Sequence, residues 1–231
     1  ICKTALSDRQ MPVVAPDTTF MDTVFVATEK PAALKAAEDY QLPTYNPSQS
    51  REHDLLHTRM DIRFDWKKQQ VLGKAWLTMH PWFYPTDTVR LDAKNFEIHQ
   101  VNFDQPKGKV LRWKYDGQIL TVALPRTYPK EETFTLYIDY TASPAARENF
   151  GGSAAITSDQ GLFFINPDGS QPDKPMQIWT QGETENNSRW FPTFDQPNER
   201  CTQEISMTVD NRFVTLSNGT LIRSENPTDS T

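Results

Sequence analysis

From about residue 58 onward, apolar and polar positions alternate with a period of two along much of the chain. Met60, Ile62, Phe64 and Trp66 fall on one face, and Arg59, Asp61, Arg63 and Asp65 on the other, which is the pattern of a half-buried strand. The alternation returns in Ala75, Leu77 and Met79, and in Phe134, Leu136, Ile138 and Tyr140 against Thr133, Thr135, Tyr137 and Asp139. It recurs in Ile205, Met207 and Val209, and a further strand is expected over residues 213–216. Asp116-Gly117 separates the apolar-rich runs 111–115 and 120–124, a hairpin signal because both residues tolerate the positive φ of a tight turn. Short strands, turn signals and almost no helix predict an all-β fold, an antiparallel β-sandwich or saddle-like domain.

The first fifty residues break this pattern. Pro12, Pro16, Pro31, Pro43 and Pro47 punctuate them, so the sequence predicts a mostly irregular N-terminal arm over 1–50 and a β domain over 51–231. One short helix is expected in the arm, over residues 30–40. Thr28 is placed to cap it, Pro31 suits the first turn, Ala32, Ala33, Leu34, Ala36 and Ala37 favour it, and Pro43 ends it.

Charge and composition narrow the function. The chain of 231 residues carries 24 basic and 30 acidic side chains, a net charge of −6, with no basic stripe of the kind nucleic acid requires. Apolar runs such as 161–165 fall far short of the ~20 residues that span a bilayer. No nucleic-acid partner and no membrane-spanning segment are expected. Two cysteines, Cys2 and Cys201, exclude a disulfide framework.

Several chemical motifs fail on their context. His53 and His57 have the i, i+4 spacing that binds zinc on a helix. However, the segment leads directly into an alternating strand, and on an extended chain residues four apart sit too far along to share one ion. No metal site is expected. His80 and His99 lie singly on strand-like segments. No G-x-S-x-G elbow is present, Cys201 has no histidine near it in sequence, and Gly151-Gly152-Ser153 lacks the ending of a phosphate loop. Trp82-Phe83-Tyr84 offers a weaker carbohydrate-binding reading.

The segment from Gln181 to Pro197 carries the chemistry. In an extended stretch Gln181 and Glu183 leave the same face, and Trp190, Phe191, Pro192, Phe194 and Pro197 form a stiff aromatic-proline knot behind them. Thr180-Gln181-x-Glu183, followed by Phe191-Pro192-x-Phe194-Asp195-x-Pro197, closely resembles a segment in the N-terminal domain of aminopeptidase N-like (gluzincin) zinc metallopeptidases. Gly161-Leu162-Phe163, Asn95-Phe96-Glu97-Ile98 and Leu216-Ser217-Asn218-Gly219 extend the resemblance, which runs from about Leu56 to Glu225. It departs at Thr193, where a Cys is usual, at Gln196, where a Glu is usual, and at Asn187-Ser188, where Ala-Arg is usual.

The resemblance implies a substrate-binding pair. Glu183 would meet the free α-amino group of a peptide, and Gln181 would line the pocket for its first side chain. The implied partners are the peptide N-terminus and the protein's own C-terminal catalytic domain, where the implied zinc would sit. The family's H-E-x-x-H motif does not occur in residues 1–231, so the chain is expected to be an inactive fragment of an active parent, with no catalytic residue and no cofactor of its own. The alternative is a non-catalytic, protein-binding β module of a pseudo-enzyme relative. Exported placement, periplasmic or lipid-anchored, is expected over cytoplasmic.

Overall fold

The computed structural model describes residues 50–145 and 160–225. The helix expected over 30–40, Cys2 and the Gly151-Gly152-Ser153 loop lie outside them. Ten strands occupy the described residues: β1 His53–Asp65, β2 Gln70–Pro81, β3 Thr86–Asp92, β4 Phe96–Phe103, β5 Arg112–Tyr115, β6 Ile119–Tyr128, β7 Phe134–Ala142, β8 Gly161–Ile165, β9 Gln177–Gln181 and β10 Thr202–Thr208. They form a five-stranded sheet in the order β10-β1-β2-β7-β4, a three-stranded sheet β3-β6-β5 and a hairpin β8-β9. The all-β class follows, as the alternation required.

The two larger sheets share one core. Met60, Ile62, Ala75, Leu77, Met79, Leu136 and Ile138 from the first sheet join Val89, Leu91, Leu120 and Val122 from the second in a single buried cluster, the packing of a sandwich. Each apolar face read from period two is therefore the inner face. Tyr137 is the exception: assigned to the outer face, it is nevertheless 1% exposed, because Trp76 packs on it with ring centroids 5.1 Å apart. The Asp116-Gly117 turn forms as expected. Gly117 has φ 96, and the Asp116 carboxylate accepts from the N–H of Gln118 at 2.8 Å and of Ile119 at 2.7 Å.

Three expectations need correction. First, β1 begins at His53, before residue 58, because a bulge between Leu55 and His57 interrupts the alternation. Second, the outermost pair is parallel: Met60 faces Ile205 and Ile62 faces Met207. The chain returns to the beginning of β1 before β10 starts, and Glu199 fixes that return by accepting from Leu55 N at 2.8 Å and Arg51 Nη2 at 2.9 Å. β10 must then run in the direction of β1. Third, residues 213–216 form no strand. Phe213 stacks on Trp66 at 4.8 Å, but Val214 and Leu216 stand 96% and 95% exposed. Among the described residues no strand lies beside them to complete a ladder or cover an apolar face.

Candidate functional site

Strand β9 ends at Gln181, and the chain then folds into a turn, so Glu183 and Glu185 do not continue the pleat as an extended reading requires. Asn186 closes the turn, its backbone N–H reaching Gly182 O at 2.9 Å and its side chain donating to Glu183 O at 3.0 Å. The turn still places the two expected side chains together, with Gln181 Nε2 3.4 Å from Glu183 Oε2. Gln181 is half-buried and Glu183 exposed. Glu185 is exposed as well, and only its carbonyl is engaged, accepting from Lys94 Nζ at 2.6 Å.

The turn rests on the aromatic-proline knot, and the knot rests on the buried Asp195 and the half-buried Asp92. Asp195, 6% exposed, accepts from Ser188 N at 2.8 Å and Ser188 Oγ at 2.6 Å. Its own N–H donates to Asp92 Oδ2 at 2.9 Å, and Asp92 and Thr193 exchange backbone bonds of 2.8 and 3.1 Å. Burial pushes the Asp92 carboxyl above its ordinary range, partly offset by that Asp195 N–H. Lys94 N donates to Ser188 O at 2.7 Å. These bonds tie the 3-10 turn Asn187–Arg189 to the end of β3, while Trp190 and Phe191 sink into the core. The mount is held because the buried Ser188 and Asp195 are paired with each other, although the buried Trp190 Nε1 beside them has no hydrogen-bond partner among the described residues.

The knot then runs to the start of β1. Phe194 stacks on the His53 ring at 5.8 Å and 9°, and Phe134 meets that ring edge-on at 6.2 Å. His53 is 2% exposed, and burial, followed by the nearby His80, pushes it down to about 4 from 6.5. His57 lies beyond the bulge, its Nδ1 2.7 Å from Thr202 Oγ1. The two rings do not converge, and among the described residues no group of three His, Cys, Asp or Glu side chains is placed to hold a metal ion. Among these residues nothing is placed to hold the zinc that the sequence resemblance implies.

The buried His53 makes a prediction. Between about pH 4 and 6.5 the unfolded chain binds a proton that the folded chain refuses, so stability is full above 6.5 and falls as pH drops toward 4. The loss is on the order of 3 kcal/mol. Urea unfolding at pH 7 and pH 4.5 should show it, and His53→Phe should remove much of the difference; an unchanged difference would refute it.

Sequence reasoning missed two neighbours of the pair. Phe163 and Trp179 are cross-strand partners one step from Gly161 and Gln181, stacked at 4.7 Å and 14°, and Trp179 is 43% exposed. The face beside Gln181 is therefore apolar. The spacing Trp179-x-Gln181 was the available signal, but Phe163 needed the register.

An all-β domain presenting an acid-amide pair from a pinned turn is the class that the fold and site define. The chain belongs to the Peptidase M1 N-terminal domain family, whose model matches residues 45–231. Curated relatives include transcription initiation factor TFIID subunit 2 of Gallus gallus, 33% identical, and of Danio rerio, 22% identical, each over 203 residues. Those matches cover 74% of this chain but only 17% of the relatives, so the chain spans about a sixth of their length. Among solved structures, it resembles a mutant M1 zinc metallopeptidase from Deinococcus radiodurans bound to a Tyr-Ser-Ala substrate (TM-score 0.53, 18% identity, 68% of this chain and 32% of that one). Native leukotriene A4 hydrolase from Saccharomyces cerevisiae is also similar (TM-score 0.52, 18% identity, 68% and 23%). At these identities the likeness is one of fold.

Proposed function

We propose that this chain is the N-terminal substrate-recognition and docking domain of a zinc-dependent aminopeptidase. In this reading Glu183 pairs with the free α-ammonium of a peptide, and Gln181 lines the pocket for the first side chain. The observation that carries it is the placement of Gln181 beside Glu183 on a turn held by the buried Asp195 network, in a domain of the M1 N-terminal family. The solved Deinococcus radiodurans relative, named as an M1 zinc metallopeptidase bound to a Tyr-Ser-Ala substrate, supports it. The zinc and the bond-breaking groups would belong to a catalytic domain of the same polypeptide, docked on the face that carries Gln181.

An exposed carboxylate gains little from an ammonium in water, about 0–1 kcal/mol. Recognition therefore requires that a second domain and the peptide cover Glu183, so that the charge-assisted hydrogen bond forms away from solvent. A blocked N-terminus would then leave the carboxylate buried and unpaired, which excludes it.

A second reading, a non-catalytic protein-binding β module, is favoured by the curated relatives being subunits of a transcription initiation factor. An assay of the full-length parent with zinc separates the two. Stepwise release of N-terminal residues from a free peptide, and none from its N-acetylated form, is expected. Absence of hydrolysis from both would favour the second reading.

A further inference from the structure

Gly182 is the pivot of the turn that carries Glu183, and one neighbouring side chain fixes it. It lies between Gln181 and Glu183, and its carbonyl accepts from Asn186 N at 2.9 Å. Glycine has the widest choice of backbone conformations. Glu183 is exposed, and among the described residues its carboxylate meets only Gln181, at 3.4 Å, so its position is inherited from that pivot. The side chain that stands against Gly182 is Asn187. A Cβ built on Gly182 would overlap the end of its amide: the three nearest atoms are Asn187 Oδ1, Cγ and Nδ2, the last at 2.7 Å. Gly182 does not share the positive φ of Gly161 and Gly169, so the neighbouring amide, not the backbone conformation, is what requires a glycine there.

Asn187 is itself anchored in the knot. Its carbonyl accepts from Trp190 N at 3.1 Å and Phe191 N at 3.2 Å, and both of those residues belong to the core. Its half-buried amide makes no hydrogen bond among the described residues, so what it contributes is shape. Asn187 is also a position at which the chain departs from the segment it resembles, where Ala is usual. We propose that Asn187 is a positioning residue for amine recognition: carried by the knot, its amide wedges against Gly182 and holds the turn, so that the Glu183 carboxylate stands ready where the ammonium arrives. The inference rests on the α-amine reading of Glu183. A carboxylate that had to be ordered during binding would lose part of its interaction to that ordering, and a small misplacement of such a group is enough to weaken recognition. The wedge removes that loss before the peptide arrives.

The test is inhibition of the full-length parent by a dipeptide and by its des-amino counterpart, whose ratio gives the preference for a free amine. Asn187→Ala should reduce that preference by roughly fivefold, with little change in the urea midpoint, because a half-buried amide without a hydrogen bond contributes little to folding. Asn187→Leu keeps the branch and the bulk, and should retain most of the preference. Gly182→Ala drives the amide out of its place, so it should match Asn187→Ala, and the double variant should lose no more than either single change. Additive losses would overturn the inference. So would an Asn187→Ala protein with the full preference, or an Asn187→Leu protein as poor as Asn187→Ala. Glu183→Ala separates the two claims: if it abolishes the preference and Asn187→Ala does not lower it, the wedge alone fails, whereas a Glu183→Ala protein that keeps the preference refutes the amine reading and the wedge with it.

Discussion

In the full-length parent, Glu183→Ala should lower kcat/KM for free-amine substrates by roughly 30- to 1,000-fold, the equivalent of about 2–4 kcal/mol of lost transition-state stabilisation. The size comes from desolvation. An ammonium brought under a covering domain gives up its hydration, and the carboxylate is what replaces it. Part of the loss should appear as a raised KM, because the charge pair forms as soon as the peptide binds. Glu183→Gln should retain some affinity, since an amide oxygen still accepts a hydrogen bond but supplies no charge. Glu185→Ala should cost far less, because Glu185 meets the rest of the domain through its carbonyl, on Lys94, and that contact survives the substitution. Equal losses at the two positions would remove the specific role assigned to Glu183.

Asp195→Ala should destabilise the domain by about 2–4 kcal/mol, measured by urea unfolding. The carboxylate satisfies both Ser188 N and Ser188 Oγ at a fully buried serine, and each abandoned buried donor costs about 1–3 kcal/mol. Ser188→Ala removes one donor together with its bond, so it should cost only about 1 kcal/mol. Asp195→Asn should cost less than Asp195→Ala, because Oδ2 alone accepts both Ser188 bonds and an amide oxygen can take its place, though without the charge. A loss at Asp195 no larger than that at Ser188 would mean the knot is held by its aromatic burial, and that the Glu183 turn does not depend on the carboxylate.

These two residues differ in how far the sequence could reveal them. The place of Glu183 beside Gln181 was legible from their spacing, although the reading as an extended pleat was wrong: the strand stops at Gln181, and a turn stabilised by Asn186 brings the acid alongside. Asp195 was visible as part of the motif, but its work was not, since Asp92 stands 103 positions away and no local pattern links them. Strands whose inner residues alternate cleanly, such as β2 and β7, were read in place. β1 was entered late because a bulge shifts the register between Leu55 and His57, and period-two reasoning has no means of counting an extra residue. The strand expected over 213–216 had the right pattern and no partner, a condition that lies outside the pattern itself. His53 illustrates the opposite failure. Its spacing to His57 raised only a metal pair, which was set aside, and nothing local showed that Phe134 and Phe194 make it part of an aromatic stack.

The central claim is that Glu183 reads the α-amine, and it is tested most directly by a two-by-two binding comparison in the full-length parent. A dipeptide and its des-amino counterpart are compared as competitive inhibitors of the wild type and of Glu183→Ala. The account predicts that the wild type binds the free amine at least about tenfold more tightly, and that most of this preference vanishes in the variant. A Glu183→Ala protein that keeps the wild-type preference in full would contradict it.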